Sequence, residues 1–377
     1  MKKIIVSVTN DLSGDQRVDR VCQTLTGMGF RVLLVGRKLS IAPAIKGRSY
    51  GTCQMRLIFN KGPMFYMEYN LRLFLLLLFS SFDLLLSNDL DTLPANRLAA
   101  FLKRKPVIYD SHEYFTEVPE LQHRPRVRRI WEGLEKMLVP GVSQAYTVCE
   151  SIARIYTEKY GIPFRVVRNF PMFVVTPEAL APGDEKSPAT IIYQGALNLG
   201  RGLEQAINAM HYLPDARLII AGTGDLENKL RKQVADRKLP NVEFTGKLAP
   251  EKLGVLTRNA QLGISVEEDM GLNYRYALPN KLFDYIQARI PVVVSNLPEM
   301  GAIVRQYDIG LTTTSHDPRA LSEVFKVALT DKQLRQTWSN NLEKAARELT
   351  WENEQQIIKS IFGRYLSFEP HKAQKGT

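Results

Sequence analysis

FPMFVVTPEALAPGDEKSPAT, residues Phe170–Thr190, decides how the chain is read. It holds four prolines and shows neither the alternation of a strand nor the period of a helix, so it reads as a linker between domains. On its N-terminal side, short apolar runs at Lys3–Thr9, Arg31–Val35, Leu84–Ser87, Val107–Asp110, Ala145–Val148 and Arg165–Arg168 alternate with helical patterns such as Arg17–Met28 and Pro125–Leu138. On its C-terminal side a second set runs Thr190–Gln194, Arg217–Ala221, Val242–Thr245, Gln261–Val266 and Pro291–Ser295. Continuous β-branched runs alternating with helices predict parallel sheets covered on both faces. The expected fold is α/β, with two Rossmann-like, doubly wound parallel-sheet domains facing across a cleft. The N-terminal domain spans 1–170, the linker 171–189 and the C-terminal domain 190–351; a last helix at about 352–367 returns to the first domain. In such sheets ligands bind beyond the carboxyl ends of the strands, so two facing sheets suit a two-part substrate.

The 377 residues and 42.8 kDa suit about two domains. With 45% hydrophobic and 24% charged residues, large cores form and wholesale disorder is excluded. The three cysteines, Cys22, Cys53 and Cys149, are odd in number and far apart, with no CxxC pair. That excludes a disulfide scaffold or a cysteine-type zinc site and fits a reducing cytoplasm. Of the net charge of +11, nine units fall in residues 1–180. A basic first half favours an anionic partner: a phosphorylated substrate, an anionic membrane surface or nucleic acid.

The opening MKKIIVSVTNDLSGDQR has too short an apolar stretch before Asn10 for a signal peptide and reads as a buried first strand. LRLFLLLLFSSFDLLL, Leu71–Leu86, is interrupted by Ser80, Ser81 and Asp83. It reads as a buried helix to about Ser80 and then a strand Asp83–Ser87, not as a membrane span. The tail Phe368–Thr377 reads as frayed.

Several strand ends and helix starts have the composition of anion sites. Thr9-Asn10-Asp11-Leu12-Ser13-Gly14-Asp15-Gln16-Arg17 leads from a strand into a helix, where backbone N–H groups favour an anion; the alternative is an ordinary turn with Asp15 near the cap. It is neither GxGxxG nor a P-loop, so a dinucleotide or ATP site fails on pattern. Tyr193-Gln194-Gly195-Ala196-Leu197-Asn198-Leu199-Gly200-Arg201-Gly202 places three glycines and one arginine between strand and helix. Glycine permits close backbone approach, and Arg201 either clamps a diphosphate or lies solvated. Gly222 and Gly246 end two further strands on the same edge.

Ile264–Met300, ISVEEDMGLNYRYALPNKLFDYIQARIPVVVSNLPEM, carries the candidate acids. Glu267, Glu268 and Asp269 follow a strand, and Pro279-Asn280 opens a helix bearing Lys281 and Asp284 in its first turns. A lysine at a helix start opposes the dipole unless an anion is bound there. In the first half, Asp110-Ser111-His112-Glu113 ends a strand; His112 either relays a proton at the cleft edge or is a structural histidine held by its acidic neighbours. No second histidine lies at a metal-ligand spacing, and no metal is expected. His123–Trp131 puts four arginines within six residues beside a tryptophan, a face for lipid phosphates or simply a solvated helix face.

Taken together, GDQRVDRVCQTLTGMGFRV, VIYDSHEYFTEVPEL, AYTVCESIARIYTEKYG, YQGALNLGRGLEQAINAM, IIAGTGDLENKL, VEFTGKL and LPNKLFDYIQARIPVVVSN resemble the family 4 glycosyltransferases of the GT-B fold over nearly the whole chain. The resemblance implies retaining transfer of a sugar from a nucleotide-diphosphate donor to a glycan or lipid-linked acceptor, in cell-surface polysaccharide synthesis such as capsule or lipopolysaccharide. It implies an acceptor-side N-terminal domain and a nucleotide-sugar-binding C-terminal domain. It places Gly14 and Asp15 on the donor–acceptor side, His112 near the donor sugar, Gly195 and Arg201 at the diphosphate, Gly222, Gly246 and Leu248 around the base, Glu267 or Glu268 at the sugar, and Asp284 at the ribose. Three features depart from the family pattern, the first being that the second acid is Asp284 where a glutamate is usual. The two acids lie 16 or 17 positions apart, farther than is usual, and Ala196 stands where many members carry a second arginine, a charge that Lys281 supplies. The implied enzyme needs no cofactor, binds no nucleic acid, and works in the cytoplasm or peripherally on the inner face of the plasma membrane. The alternatives are a nucleotide-sugar 2-epimerase of the same fold and a non-catalytic nucleotide-sugar-binding subunit.

Overall fold

The computed structural model describes every residue except 13, 40–46, 123, 176–187 and 367–377. Most of the linker, His123 and the tail from Phe368 therefore lie outside the described residues. The chain forms two compact units, Met1–Asn169 with the residues from Glu354 onward, and Phe170–Asn353.

The first unit is built on seven strands: β1 (Lys3–Asp11), β2 (Arg31–Arg37), β3 (Gly51–Met55), β4 (Leu84–Asn88), β5 (Val107–Ser111), β6 (Gln144–Thr147) and β7 (Phe164–Val166). Their order is 3-2-1-4-5-6-7 and every pairing is parallel, with Ile5 opposite Leu33 on one side and Leu85 on the other. The strand interiors, such as Ile4–Val6 and Leu84–Leu86, are almost wholly buried because helices cover both faces. Those helices are α1 (Gln16–Gly27), α2 (Gly62–Phe79), α3 (Leu93–Lys103), α4 (Pro119–Gln122), α5 (Pro125–Leu138) and α6 (Glu150–Tyr160). Asp15 caps α1 by accepting from the Val18 N–H, and Gly161 closes α6 in the left-handed conformation that glycine adopts at little cost.

The second unit has six strands: β8 (Ala189–Gln194), β9 (Ala216–Ala221), β10 (Val242–Gly246), β11 (Leu262–Ser265), β12 (Val292–Ser295) and β13 (Gly310–Thr313). The order is 10-9-8-11-12-13, again all parallel. Its helices are α7 (Leu203–Ala209), α8 (Glu227–Asp236), α9 (Pro250–Arg258), α10 (Leu272–Arg275), α11 (Asn280–Gln287), α12 (Pro298–Tyr307), α13 (Pro318–Thr330) and α14 (Lys332–Glu348). The last helix, α15 (Trp351–Leu366), runs on into the first unit. There Glu354 accepts from the Arg168 N–H at 2.6 Å, and Phe362 meets Phe30 edge-on with ring centres 6.4 Å apart.

Three features depart from the sequence-based expectation. The sheets gain β3 and β13, both edge strands. Their sequences, GTCQM and GLTT, lack an apolar run because an edge position is only half buried. The apolar helix expected to end near Ser80 begins at Gly62, and it is not buried all round. Only Phe65, Tyr69, Leu73 and Leu77 face the core, while Met64, Met67, Leu71, Leu75 and Phe79 face outward. Among the described residues no helix is long and apolar enough to cross a membrane.

Candidate active site

In a doubly wound sheet the ligand position is set by where the strand order reverses. In the second unit that point lies between β8 and β11. The chain leaves β8 at Gly195 and β11 at Val266-Glu267, and both loops meet the start of α11. Lys281, in the first turn of α11, donates from Nζ to Glu267 Oε1 at 2.9 Å. Arg201 Nη1 stands 3.6 Å from the same oxygen, and Ser265 Oγ donates to Oε2 at 2.7 Å. Glu267 is fully buried and Lys281 nearly so. Burial alone would raise the Glu267 carboxyl, but Lys281 and Arg201, with the bonds from Ser265 and Lys281, outweigh it and hold the group below its ordinary value. Both cations also lie over aromatic rings. Lys281 Nζ is 3.9 Å from the centre of Tyr193, and the Arg201 guanidinium is 5.4 Å from that of Tyr274. Arg201 Nε is buried with no hydrogen-bond partner among the described residues. The result is a two-cation cluster with one donor unfilled, at a strand-end loop.

The glycines here are steric necessities. Gly222 has φ +150°, and a Cβ on it would sit 1.8 Å from the Gly195 carbonyl oxygen. Gly202 has φ +67°, and its Cβ would sit 1.9 Å from the Val266 carbonyl oxygen. The loops after β8, β9 and β10 are therefore stacked backbone on backbone. Gly195 N–H bonds to Ala221 C=O and Gly222 N–H to Gly246 C=O, each at 2.9 Å. Leu248 lies half-buried two residues past Gly246. Asp284, one turn after Lys281, accepts from Gln194 Nε2 at 2.7 Å, and Gln194 in turn accepts from Thr257. Glu268 points elsewhere, accepting from Gln205 Nε2 at 3.3 Å. Of the two adjacent acids, Glu267 is the one that holds the cations.

In the first unit the order reverses between β1 and β4, and the β1–α1 loop carries Gly14, exposed, and Asp15, the α1 cap. His112, just past β5, is gripped on both ring nitrogens. Asp89 lies 3.3 Å from Nδ1, and Asp110 lies 3.1 Å from Nε2. Arg17 pins Asp110 through two bonds of 2.8 and 3.1 Å. Burial would lower the His112 pKa, but Asp89 and Asp110 raise it to about 9, while Asp110 is held at about 2 against its own burial, chiefly by Arg17. His112 thus sits between two carboxylates that favour its protonated form, and a protonated ring has no lone pair with which to act as a base.

Sequence reasoning missed Asp89, Arg17, Tyr193 and His316. Asp89 closes the β4–α3 turn at φ +57°, a conformation that costs a non-glycine residue energy and marks functional sites. His316 Nε2 lies 3.2 Å from the carbonyl oxygens of both Val266 and Glu267 and so fixes the backbone that presents Glu267. The signal available for Asp89 was its place one residue beyond the carboxyl end of a strand. His316 follows the unrecognised edge strand β13 and carried no signal.

The class defined by this fold and site is confirmed by family models. The model described as "Glycosyl transferases group 1" matches residues 179–345, and "Glycosyltransferase Family 4" matches residues 15–171. The chain belongs to the family 4, group 1 glycosyltransferases, with the two parallel-sheet α/β domains of the GT-B fold. A curated relative is the chitobiosyldiphosphodolichol beta-mannosyltransferase of Kluyveromyces lactis, 31% identical over 152 residues, which are 36% of this chain and 32% of that protein. The chain thus spans about a third of that relative's length. Among solved structures, the sucrose-phosphate synthase of Thermosynechococcus elongatus superposes with a TM-score of 0.77 at 16% identity, covering 97% of this chain and 100% of that one. HepE of Anabaena in complex with UDP-glucose gives 0.72 at 15% identity, with the same coverage.

Proposed function

We propose that the chain is a retaining glycosyltransferase that moves a sugar from a nucleotide-diphosphate donor to a glycan or lipid-linked acceptor, in the assembly of cell-surface polysaccharide such as capsule or lipopolysaccharide. The observation that carries this reading is the convergence of Arg201 and Lys281 on Glu267 beside Gly195, at the switch point of a parallel sheet. Two adjacent cations, one with an unfilled buried donor, suit a diphosphate. In transfer, the bond from the anomeric carbon to the diphosphate oxygen breaks through an oxocarbenium-like state, and the electron pair leaves with the phosphate. Arg201 and Lys281 stabilise that growing charge. The acceptor oxygen bonds to the same face of the sugar, and its proton passes to the departing phosphate oxygen. Glu267 keeps both cations in place while the site is empty. His112, just past the carboxyl end of β5, is the residue of the first unit that we place near the donor sugar. The loops at Gly222, Gly246 and Leu248 suit the base, and Asp284 the ribose.

The fixed cations take the part that a divalent metal plays elsewhere, so the reaction proceeds without one. A lipid-linked acceptor is supported by the mannosyltransferase relative, whose named substrate carries a dolichyl diphosphate, and a nucleotide-sugar donor by the likeness to HepE, which binds UDP-glucose. The site of action we propose is the cytoplasm, at its membrane boundary. The test is a thermal-shift screen of nucleotide-diphosphate sugars, followed by transfer from the best binder to lipid-linked acceptors with and without chelator. We expect one donor to raise the melting temperature and to give a product with the donor's anomeric configuration, unaffected by chelator. No stabilising donor, or an inverted product, overturns the reading.

A further inference from the structure

The second apolar face of α2 is unexplained by the core. A helix apolar on every side belongs where every side is covered. On α2 the buried stripe Phe65, Tyr69, Leu73 and Leu77 is opposed across the helix by Met64, Met67, Leu71, Leu75 and Phe79, which recur every three or four residues. Leu71 is 61% exposed and Phe79 85%. The patch extends beyond one helix. α3 lies alongside in the same direction, tied by Asn70 to the Ala95 N–H and Asp91 C=O and by Lys103 Nζ to Ser80 C=O. It adds Leu98, Leu102 and Phe101, the last 75% exposed. At the other end, Glu68 accepts from the backbone N–H groups of Ile58 and Phe59, which fixes these two exposed apolar residues next to the stripe. Contiguous exposed apolar surface of this extent marks an interaction site.

The charges identify the partner. α2 carries a single acid, Glu68, and its carboxylate is already engaged by the loop and by Arg72. α3 carries none. Lys61 stands exposed at one end of the patch, and Lys103 and the exposed Arg104 at the other, where Lys105 is paired with Asp83 at 3.3 Å. A second copy docked symmetrically on this face would bring like charges together, whereas an anionic bilayer complements both its apolar centre and its basic ends.

We propose that the outward faces of α2 and α3 form a lipid-binding surface, on which Met64, Met67, Leu71, Leu75 and Phe79 enter the headgroup boundary of an anionic membrane. This deepens the membrane location given under the proposed function, but it rests on the first unit alone and stands apart from the transfer chemistry. The test is flotation of the full chain with vesicles of phosphatidylcholine alone or with about one third phosphatidylglycerol. We expect binding to the anionic vesicles, weaker with rising salt, and a loss of about tenfold or more for Leu71→Glu/Leu75→Glu, since both apolar insertion and charge attraction suffer. Both side chains are exposed, so the variant keeps its fold and its donor-induced thermal shift. Equal binding by wild type and variant overturns the proposal. So does a concentration-dependent dimer in size-exclusion chromatography that the same substitutions abolish while vesicles go unbound, because the occupant is then a second copy. A chain that binds vesicles but no nucleotide sugar leaves this surface standing and removes the donor reading.

Discussion

Replacing Lys281 by methionine tests the cation cluster where its energetics are largest. At 2.9 Å from Glu267 Oε1, Lys281 Nζ contributes an attraction of about 6 kcal/mol at an effective dielectric constant of roughly 20. Much of this offsets the cost of burying the two groups, so the net penalty for removing one partner is the cost of a stranded buried charge, about 3–5 kcal/mol. Arg201 at 3.6 Å and the Ser265 hydroxyl remain, which puts the expectation near the lower end. The pH dependence has a definite sign. In the wild type the Glu267 carboxyl is held below its ordinary 4.5, so the stability it contributes is present above that pH and lost as pH falls through the folded-state value. Without Lys281, burial dominates and the carboxyl rises. The variant's deficit is therefore full at neutral pH and narrows as pH falls and Glu267 is protonated, since a neutral carboxyl no longer needs a partner.

Urea unfolding at pH 7 and at pH 4 measures both quantities. Three tryptophans are present, and in a Trp131→Phe background the other two, Trp338 and Trp351, both report the second unit. Adding Glu267→Gln to Lys281→Met removes the stranded charge and restores about 1–3 kcal/mol, the range for coupled neighbours. A deficit under about 1 kcal/mol, or one of equal size at both pH values, refutes the buried-pair account.

Three further outcomes follow from the same geometry. Arg201→Ala and Lys281→Ala each lower turnover of the nucleotide-diphosphate donor by about 10²–10³-fold in a steady-state assay, the scale of a lost charge-stabilising donor; near-wild-type turnover in both removes the leaving-group role. Gly222→Ala drives a Cβ to 1.8 Å from the Gly195 carbonyl oxygen, so the second unit loses about 2–3 kcal/mol or more in urea unfolding, and donor affinity falls with it. The His112 ring, followed by NMR, titrates near pH 9, and Asp89→Asn brings it down toward its ordinary 6.5. Because its folded-state value is raised, the stability it contributes is full below about 6.5 and is lost as pH rises through about 9.

The fold was legible because both sheets are parallel and buried on both faces, so most strands are continuous apolar runs that composition alone reveals. β3 and β13 were not, since half-exposed edge strands such as GTCQM and GLTT need no such run. The outward face of α2 was misread for a related reason. A run as apolar as LRLFLLLLF reads as buried, and only the fold shows that one of its sides has no covering layer. The site was legible where glycines and charges cluster at strand ends, as at Gly195, Arg201 and Lys281. Asp89 escaped because a single acid in a β–α turn looks like any cap, and its role appears only when β5 brings His112 within 3.3 Å of it.

The choice between Glu267 and Glu268 shows what kind of information was missing. Both follow β11, and composition treats them alike. In extended chain, alternate residues point to the same side, so Glu267 shares a side with Ser265 and Glu268 faces the opposite way. Ser265 Oγ at 2.7 Å from Glu267, and Gln205 at 3.3 Å from Glu268, show that division carried past the strand's end. His316 then secures it by bonding to the carbonyls of Val266 and Glu267. A one-residue slip of this loop would bring Glu268 to the cations and put the Glu267 carboxylate into the buried apolar place of Val266. The cost of that exchange, more than any preference of the glutamates themselves, fixes which carboxylate meets Arg201 and Lys281.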